Sequence, residues 1–167
     1  CDKFDSVTTV SLTANDVQTR KVPANCSILR LNINYSTSIR LNSLRGVFSR
    51  VLWEEIFLLK KRYGFWISIS KLKTILVSVE RGKRISNFLL NKFGNEIDNT
   101  LFYSYWCDDS ALALALLSEK RKDLKAICRI HRWDVYFDQS AVNYLPFRYF
   151  IHEHLSAIYS ISEDGIH

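Results

Sequence analysis

Three short apolar segments constrain the fold of this chain most: Thr100–Trp106 (TLFYSYW), Leu124–Ile130 (LKAICRI) and Ala157–Ile161 (AIYSI). Each carries β-branched or aromatic residues and reads as a strand. The stretch between the first two has the marks of a helix. Asp108-Asp109-Ser110 offers N-cap residues, and Ala111–Lys122 follows with Ala and Leu, both strong helix formers. Its acids come first and Lys120, Arg121 and Lys122 come last, the order that suits a helix dipole. Between the second and third strands, Pro146–Leu155 reads as a short helix with Pro in its first turn. Strand–helix–strand units of this kind argue for a parallel sheet covered by helices. The expected fold is therefore α/β, a doubly wound, mainly parallel sheet with helices on both faces.

The earlier half adds two strands and two helices. Val7–Leu12 is short and β-branched, and Ser27–Ile33 follows the turn-like Pro23-Ala24-Asn25. Leu44–Tyr63 reads as one helix, with Phe48, Leu52, Ile56, Leu59 and Tyr63 recurring at three- or four-residue steps and Gly64 as C-cap. Ser68–Phe93 reads as another, with Leu72, Ile75, Leu76 and Val79 on one stripe. That stripe loses phase after Arg81-Gly82-Lys83, which predicts a kink or two shorter helices, and Gly94 ends the run.

The 167 residues suit one domain spanning 1–167, and the composition is that of a globular protein, 47% hydrophobic and 24% charged. The longest uncharged apolar run, near Ala111–Leu117, is too short to span a bilayer. Cys1, Cys26, Cys107 and Cys128 are widely spaced and read as reduced, buried thiols of a cytoplasmic protein. The net charge of +6 is unevenly spread. Residues 1–94 hold sixteen basic and six acidic side chains, net +10; residues 95–167 hold seven and eleven, net −4. Arg40–Lys92 alone carries twelve basic against three acidic residues, interleaved with Phe48, Trp53, Phe57, Tyr63, Phe65 and Trp66. A basic, amphipathic segment of this kind fits an anionic membrane surface or a nucleic acid, or else a solvated helix face over plain core.

In open parallel sheets, ligands bind outside the carboxyl ends of the strands. That rule selects Trp106, Cys107, Asp108 and Asp109 after one strand, His131, Arg132, Trp133 and Asp134 after the next, and Ser162 and Glu163 after the last. His131 is the candidate for chemistry. A neutral imidazole there can donate to a sugar hydroxyl or carbonyl, a protonated one can stabilise a phosphate, and a structural His bonded to Asp134 is the plainer alternative. Arg129 and Arg132 add fixed positive charge suited to anions. Asp134 either binds a substrate hydroxyl or holds the loop. His152-Glu153-His154 is not read as a metal site, because helix positions i and i+2 point roughly 200° apart. Neither a Gly-rich dinucleotide loop nor a P-loop is present.

Tyr103-Ser104-Tyr105-Trp106, then Arg129-x-His131-Arg132-x-Asp134-Val135-Tyr136, then Tyr144-Leu145-Pro146-Phe147-Arg148, then Ile161-Ser162-Glu163-x-Gly165 form a linked set. With it, Tyr103–Ile166 resembles the N-terminal domain of bacterial family 4 glycosyltransferases, retaining enzymes of the GT-B fold that act in capsular and surface polysaccharide synthesis. Phe4-Asp5 through Leu12 resembles the second strand of that domain more loosely. The resemblance implies a Rossmann-like, acceptor-side domain truncated at both ends. A first strand with a Gly-containing loop would precede Cys1, and a donor-binding domain with a Glu-x(7)-Glu motif would follow His167. It implies a nucleotide sugar as donor substrate, no bound cofactor or metal, and inactivity of this piece alone. His131 would be catalytic, facing the donor sugar. Trp106, Arg129, Arg132, Asp134, Ser162 and Glu163 would bind substrate. A lipid-linked glycan acceptor and a peripheral position at the inner face of the bacterial plasma membrane would suit the basic segment 40–92. The alternative is a basic α/β binding module without catalysis, for nucleic acid or an anionic surface. Nucleic acid is disfavoured because the basic residues lie in expected helices rather than in a stacking sheet.

Overall fold

The computed structural model describes residues 3–12, 21–33, 42–64, 67–140 and 142–161. Strand β1 (Val7–Ser11) pairs in parallel with β2 (Cys26–Arg30), Val7 opposite Cys26 and Ser11 opposite Arg30. Strands β3 (Leu101–Ser104), β4 (Lys125–Ile130) and β5 (Ala157–Ser160) form a second parallel sheet with β4 in the middle. Phe102 lies opposite Ala126, and Cys128 opposite Ile158. The three apolar segments that constrained the fold thus share one sheet. The architecture is mixed α/β with every strand pair parallel, consistent with a Rossmann-like fold.

Helices α1 (Arg50–Tyr63), α2 (Ile69–Phe93), α3 (Asp109–Lys120), α4 (Arg132–Val135, one turn) and α5 (Arg148–His154) complete the core. α3 is central. Every residue from Ala111 to Ser118 is buried, as a helix that is apolar all round must be. Asp108 caps it, its carboxylate accepting from Ser110 N–H at 2.8 Å. α3 packs against α2, against α5 and against β3 and β4. Strand alternation sends Phe102, Ser104, Ala126 and Cys128 to the buried face of the sheet. The opposite face presents Leu101, Tyr103 and Tyr159 to solvent.

Three expected elements differ in detail. The run Leu44–Tyr63 is two pieces. Leu44–Phe48 is a 3-10 helix, Ser49 is extended at φ −88° and ψ 124°, and α1 starts at Arg50. Phe48 therefore leaves the apolar stripe and stands 92% exposed. α2 runs unbroken from Ile69 to Phe93, which overturns the two-helix alternative to a kink. At Gly82 a Cβ would lie 3.0 Å from Leu112 Cγ and 3.3 Å from Leu116 Cδ1, so the glycine is the contact point with α3 rather than a break. Its stripe continues through Ile85, Ser86 and Leu89. The helix expected from Pro146 begins at Arg148, because Phe147 takes the left-handed conformation at φ 62°. Gly64, also at φ 62°, caps α1 as expected. Cys107 and Cys128 are buried free thiols, whereas Cys26 is half-exposed.

Candidate functional site

His131 follows β4 directly. The neighbouring β3 ends at Ser104, and Ser104 Oγ donates to the Trp106 carbonyl at 2.6 Å, closing a turn that carries Tyr105 and Trp106. Adjacent parallel strand ends thereby bring three rings together. The His131 ring centroid lies 4.1 Å from that of Trp106 and 4.9 Å from that of Tyr105. Tyr105 and Trp106 meet edge to face at 5.3 Å. His131 Nε2 lies 3.1 Å from the Tyr105 carbonyl oxygen. A carbonyl only accepts, so Nε2 carries the hydrogen. The neutral ring's donor is thus engaged by Tyr105, and the acceptor side of the ring belongs to a capping box with the Asp134 backbone. Arg129, two residues back on the same face of β4, holds its guanidinium 5.9 Å from the Tyr105 ring centroid.

Asp134 holds the loop. It is buried, and its Oδ2 accepts from the His131 backbone N–H at 3.1 Å. The bond from His131 to this carboxylate therefore comes from the main chain and not from the ring. Asp134 N–H donates back to the His131 carbonyl at 2.8 Å. Arg148 completes the clamp. Its Nε donates to the Asp134 carbonyl at 3.0 Å, its Nη2 reaches Asp134 Oδ1 at 3.4 Å, and its Nη1 donates to the Cys107 carbonyl. One guanidinium thus ties the start of α5 to the chain after β3 and the chain after β4. Sequence reasoning assigned Arg148 no role; its place in the Tyr144–Arg148 motif was the only signal.

The remaining strand-end residues sort differently. Arg132 opens α4 with an exposed side chain that makes no hydrogen bond or ion pair among the described residues. Asp108 is a helix cap, and Asp109 pairs with Arg81 of α2 at 2.7 Å. Burial pushes the Asp109 carboxyl above the usual range, and Arg81 opposes that shift. The Cys107 thiol is held low chiefly by a hydrogen bond with Cys128, with Arg148 assisting. Cys128 is pushed up by the same bond and by burial. Ser162 and Glu163 lie outside the described residues, as do Arg40, Phe65 and Trp66.

A second cluster was not legible in the sequence. Glu55 of α1 is 5% exposed, and its Oε1 accepts from the Tyr144 hydroxyl and from Phe147 N–H at 2.9 Å. Burial raises its pKa above the usual carboxylate value, against the opposing pull of those bonds and of Arg148. Glu55 lines a cavity of about 380 Å³ with Leu58, Leu59 and Arg62 of α1, Phe137, Tyr144 and Leu145, and Arg148, Tyr149 and His152 of α5. No protein-family model, curated protein or solved structure matches this chain.

Proposed function

We propose that this chain is the acceptor-side half of a retaining glycosyltransferase of GT-B type. In that role it would help transfer a sugar from a nucleotide-sugar donor to a lipid-linked glycan acceptor in polysaccharide synthesis. The observation that carries the reading is His131, set at the carboxyl end of the middle strand of a parallel sheet and walled by Tyr105 and Trp106. Flat aromatic rings accept the C–H face of a sugar on their negative π-surface. The His131 backbone is fixed by Asp134 and Arg148, so the ring is positioned before any ligand arrives. As the nucleotide diphosphate leaves, negative charge grows on its oxygens. The His131 imidazole in its charged form, beside the fixed charge of Arg129, would stabilise that charge with little reorganisation. The donor-binding half would close against this rim, and neither a metal nor a bound cofactor enters this role.

Exposed groups near the start of α1 support a membrane partner for residues 40–92. Leu44, Val47, Phe48, Trp53 and Phe57 are exposed large apolar residues in a segment that also carries Arg45, Lys60, Lys61 and Arg62. Trp53 Nε1 donates to the Val47 carbonyl at 2.7 Å and joins the 3-10 helix to α1. Among the described residues no helix is long and apolar enough to cross a membrane.

One observation favours the non-catalytic alternative. Tyr103 and Tyr159 are about half-exposed on the open sheet face, and Arg129 lies opposite Tyr159 in the register. Rings and a guanidinium on a sheet form a stacking surface for unpaired bases. NMR titration of this chain separates the two readings. The transferase reading expects uridine and guanosine diphosphate sugars to move the His131 ring and Trp106 indole signals, with single-stranded oligonucleotides inert. Oligonucleotide shifts centred on Tyr103 and Tyr159, with no response to nucleotide sugars, would replace it by the binding module.

A further inference from the structure

The geometry points to the cavity between α1 and α5 as a binding site for an acidic saccharide, a sugar ring carrying a carboxylate or phosphate. Its interior end is polar on one side only. Glu55 is buried, and Oε1 takes both of its hydrogen bonds, from Tyr144 and Phe147. No hydrogen bond within the described residues reaches Oε2, and it is not among the sealed, unpartnered polar atoms, so it keeps an accessible edge where Glu55 lines the cavity. A carboxyl oxygen open to a cavity can take a hydrogen bond from a ligand or a water there. A hydroxyl both donates and accepts, so it satisfies Oε2 whether the carboxyl is ionised or protonated.

The outer part of the cavity has the opposite sign. Arg62 meets no carboxylate among the described residues; its guanidinium lies 6.0 Å from the Tyr149 ring centroid. The exposed His152 imidazole makes no side-chain hydrogen bond among the described residues. Arg148 is already committed to Asp134 and Cys107, so it serves as a wall. Phe137, Tyr144 and Tyr149 supply rings, while Leu58, Leu59 and Leu145 supply apolar surface. The volume of about 380 Å³ falls within the roughly 300–1,000 Å³ of small-molecule sites. Hydroxyl recognition inside, an aromatic wall, and a guanidinium able to grip an anion with two N–H groups at the mouth together describe one ligand class. A neutral sugar would leave Arg62 unused, and a plain anion would leave Oε2 unused.

Binding at this cavity does not depend on the transferase reading. Only the further step, that the saccharide is the acceptor, rests on it. The test uses this chain with no donor present. Calorimetric or NMR titrations would compare methyl β-glucuronide and glucose 6-phosphate with methyl β-glucoside, acetate and inorganic phosphate. We expect at least one acidic sugar to bind tenfold or more tightly than the neutral glycoside and the simple anions, and the tighter of the two identifies the anion. Arg62→Ala should erase that preference. Tyr149→Ala should weaken every sugar alike. Glu55→Gln keeps an acceptor for Tyr144 and Phe147 yet replaces Oε2 with an amide donor, and should weaken the acidic sugar. Arg62 and Tyr149 are exposed, so their variants keep the test valid should Glu55→Gln fold poorly. Equal binding of glucuronide and glucoside, no binding of either acidic sugar at about 10 mM, or an unchanged Arg62→Ala would overturn the assignment. A site that binds while the His131 signals ignore nucleotide sugars would leave this inference standing and remove the transferase.

Discussion

At the residue scale, Glu55 is the group whose consequences are most readily measured. Its folded pKa is raised, so between the unfolded value and that higher folded value the native state holds the extra proton. Stability then falls as pH rises through that interval, the reverse of a salt-bridged carboxylate. Asp109, also raised by burial, contributes with the same sign. Urea unfolding measured upward from pH 4 should show this decline, and Glu55→Gln should flatten it while staying near wild-type stability. A profile identical to wild type would return Glu55 to ordinary titration. Glu55→Ala should instead destabilise by about 1–3 kcal/mol for each donor left without an acceptor. Arg81→Ala removes the ion-pair partner of the part-buried Asp109 and should lower stability, readable as a drop in the urea midpoint. None of this was legible in the sequence. Glu55 occupies a helix position next to Glu54, and nothing in the spacing marks it as buried. His131 was legible, because the strand-end rule needs only the end of β4. Its tautomer was not, because the Tyr105 carbonyl that sets it is 26 residues away.

At the element scale, the strands were readable because each is a short apolar run between turn signals, and the structure moves no strand end by more than three residues. Two helical readings, a single helix over Leu44–Tyr63 and a split of α2, were overturned for tertiary reasons. Periodicity carried the first helix through Phe48, but Ser49 is extended and the 3-10 turn before it points that ring to solvent. Gly82 broke the hydropathy phase of α2 because it faces another helix, and a helix contact with glycine carries no hydrophobic signal. Gly82→Ala should therefore gain little stability despite a helix-propensity advantage of roughly 1 kcal/mol. Gly82→Val should cost about 1–3 kcal/mol by overpacking against Leu112 and Leu116, as thermal or urea denaturation will record. The exposed rings of the 3-10 helix and α1 also refine the membrane expectation. Each basic residue near an anionic bilayer contributes roughly 1 kcal/mol, an attraction that salt screens. Buried rings add a part that salt leaves intact. Co-sedimentation with anionic vesicles should therefore fall, but not vanish, in high salt. A combined Phe48→Ala and Phe57→Ala change should remove the residual binding. Equal binding to neutral and anionic vesicles would contradict the electrostatic part.

At the scale of the whole molecule, the described residues form a parallel α/β unit. Sequence patterning made the parallel sheet readable, since strand–helix–strand spacing leaves few other packings. It could not reveal that strands β1 and β2 hydrogen-bond as a sheet of their own, because pairing register is a property of three-dimensional neighbours. It also could not reveal Arg148 as the clamp behind His131, since its partners Cys107 and Asp134 lie 41 and 14 residues away. The central claim is that this rim performs half of a sugar-transfer reaction. A lone half should not turn over, because such a site forms only when two domains close on the donor. The direct measurement is steady-state sugar transfer by a chain carrying both halves, wild type against His131→Ala, with circular dichroism confirming the fold. The account predicts that kcat falls about 10²–10³-fold, the loss typical of one preorganised donor, while the spectrum is unchanged. Wild-type kcat in His131→Ala would contradict it and leave His131 as a loop residue.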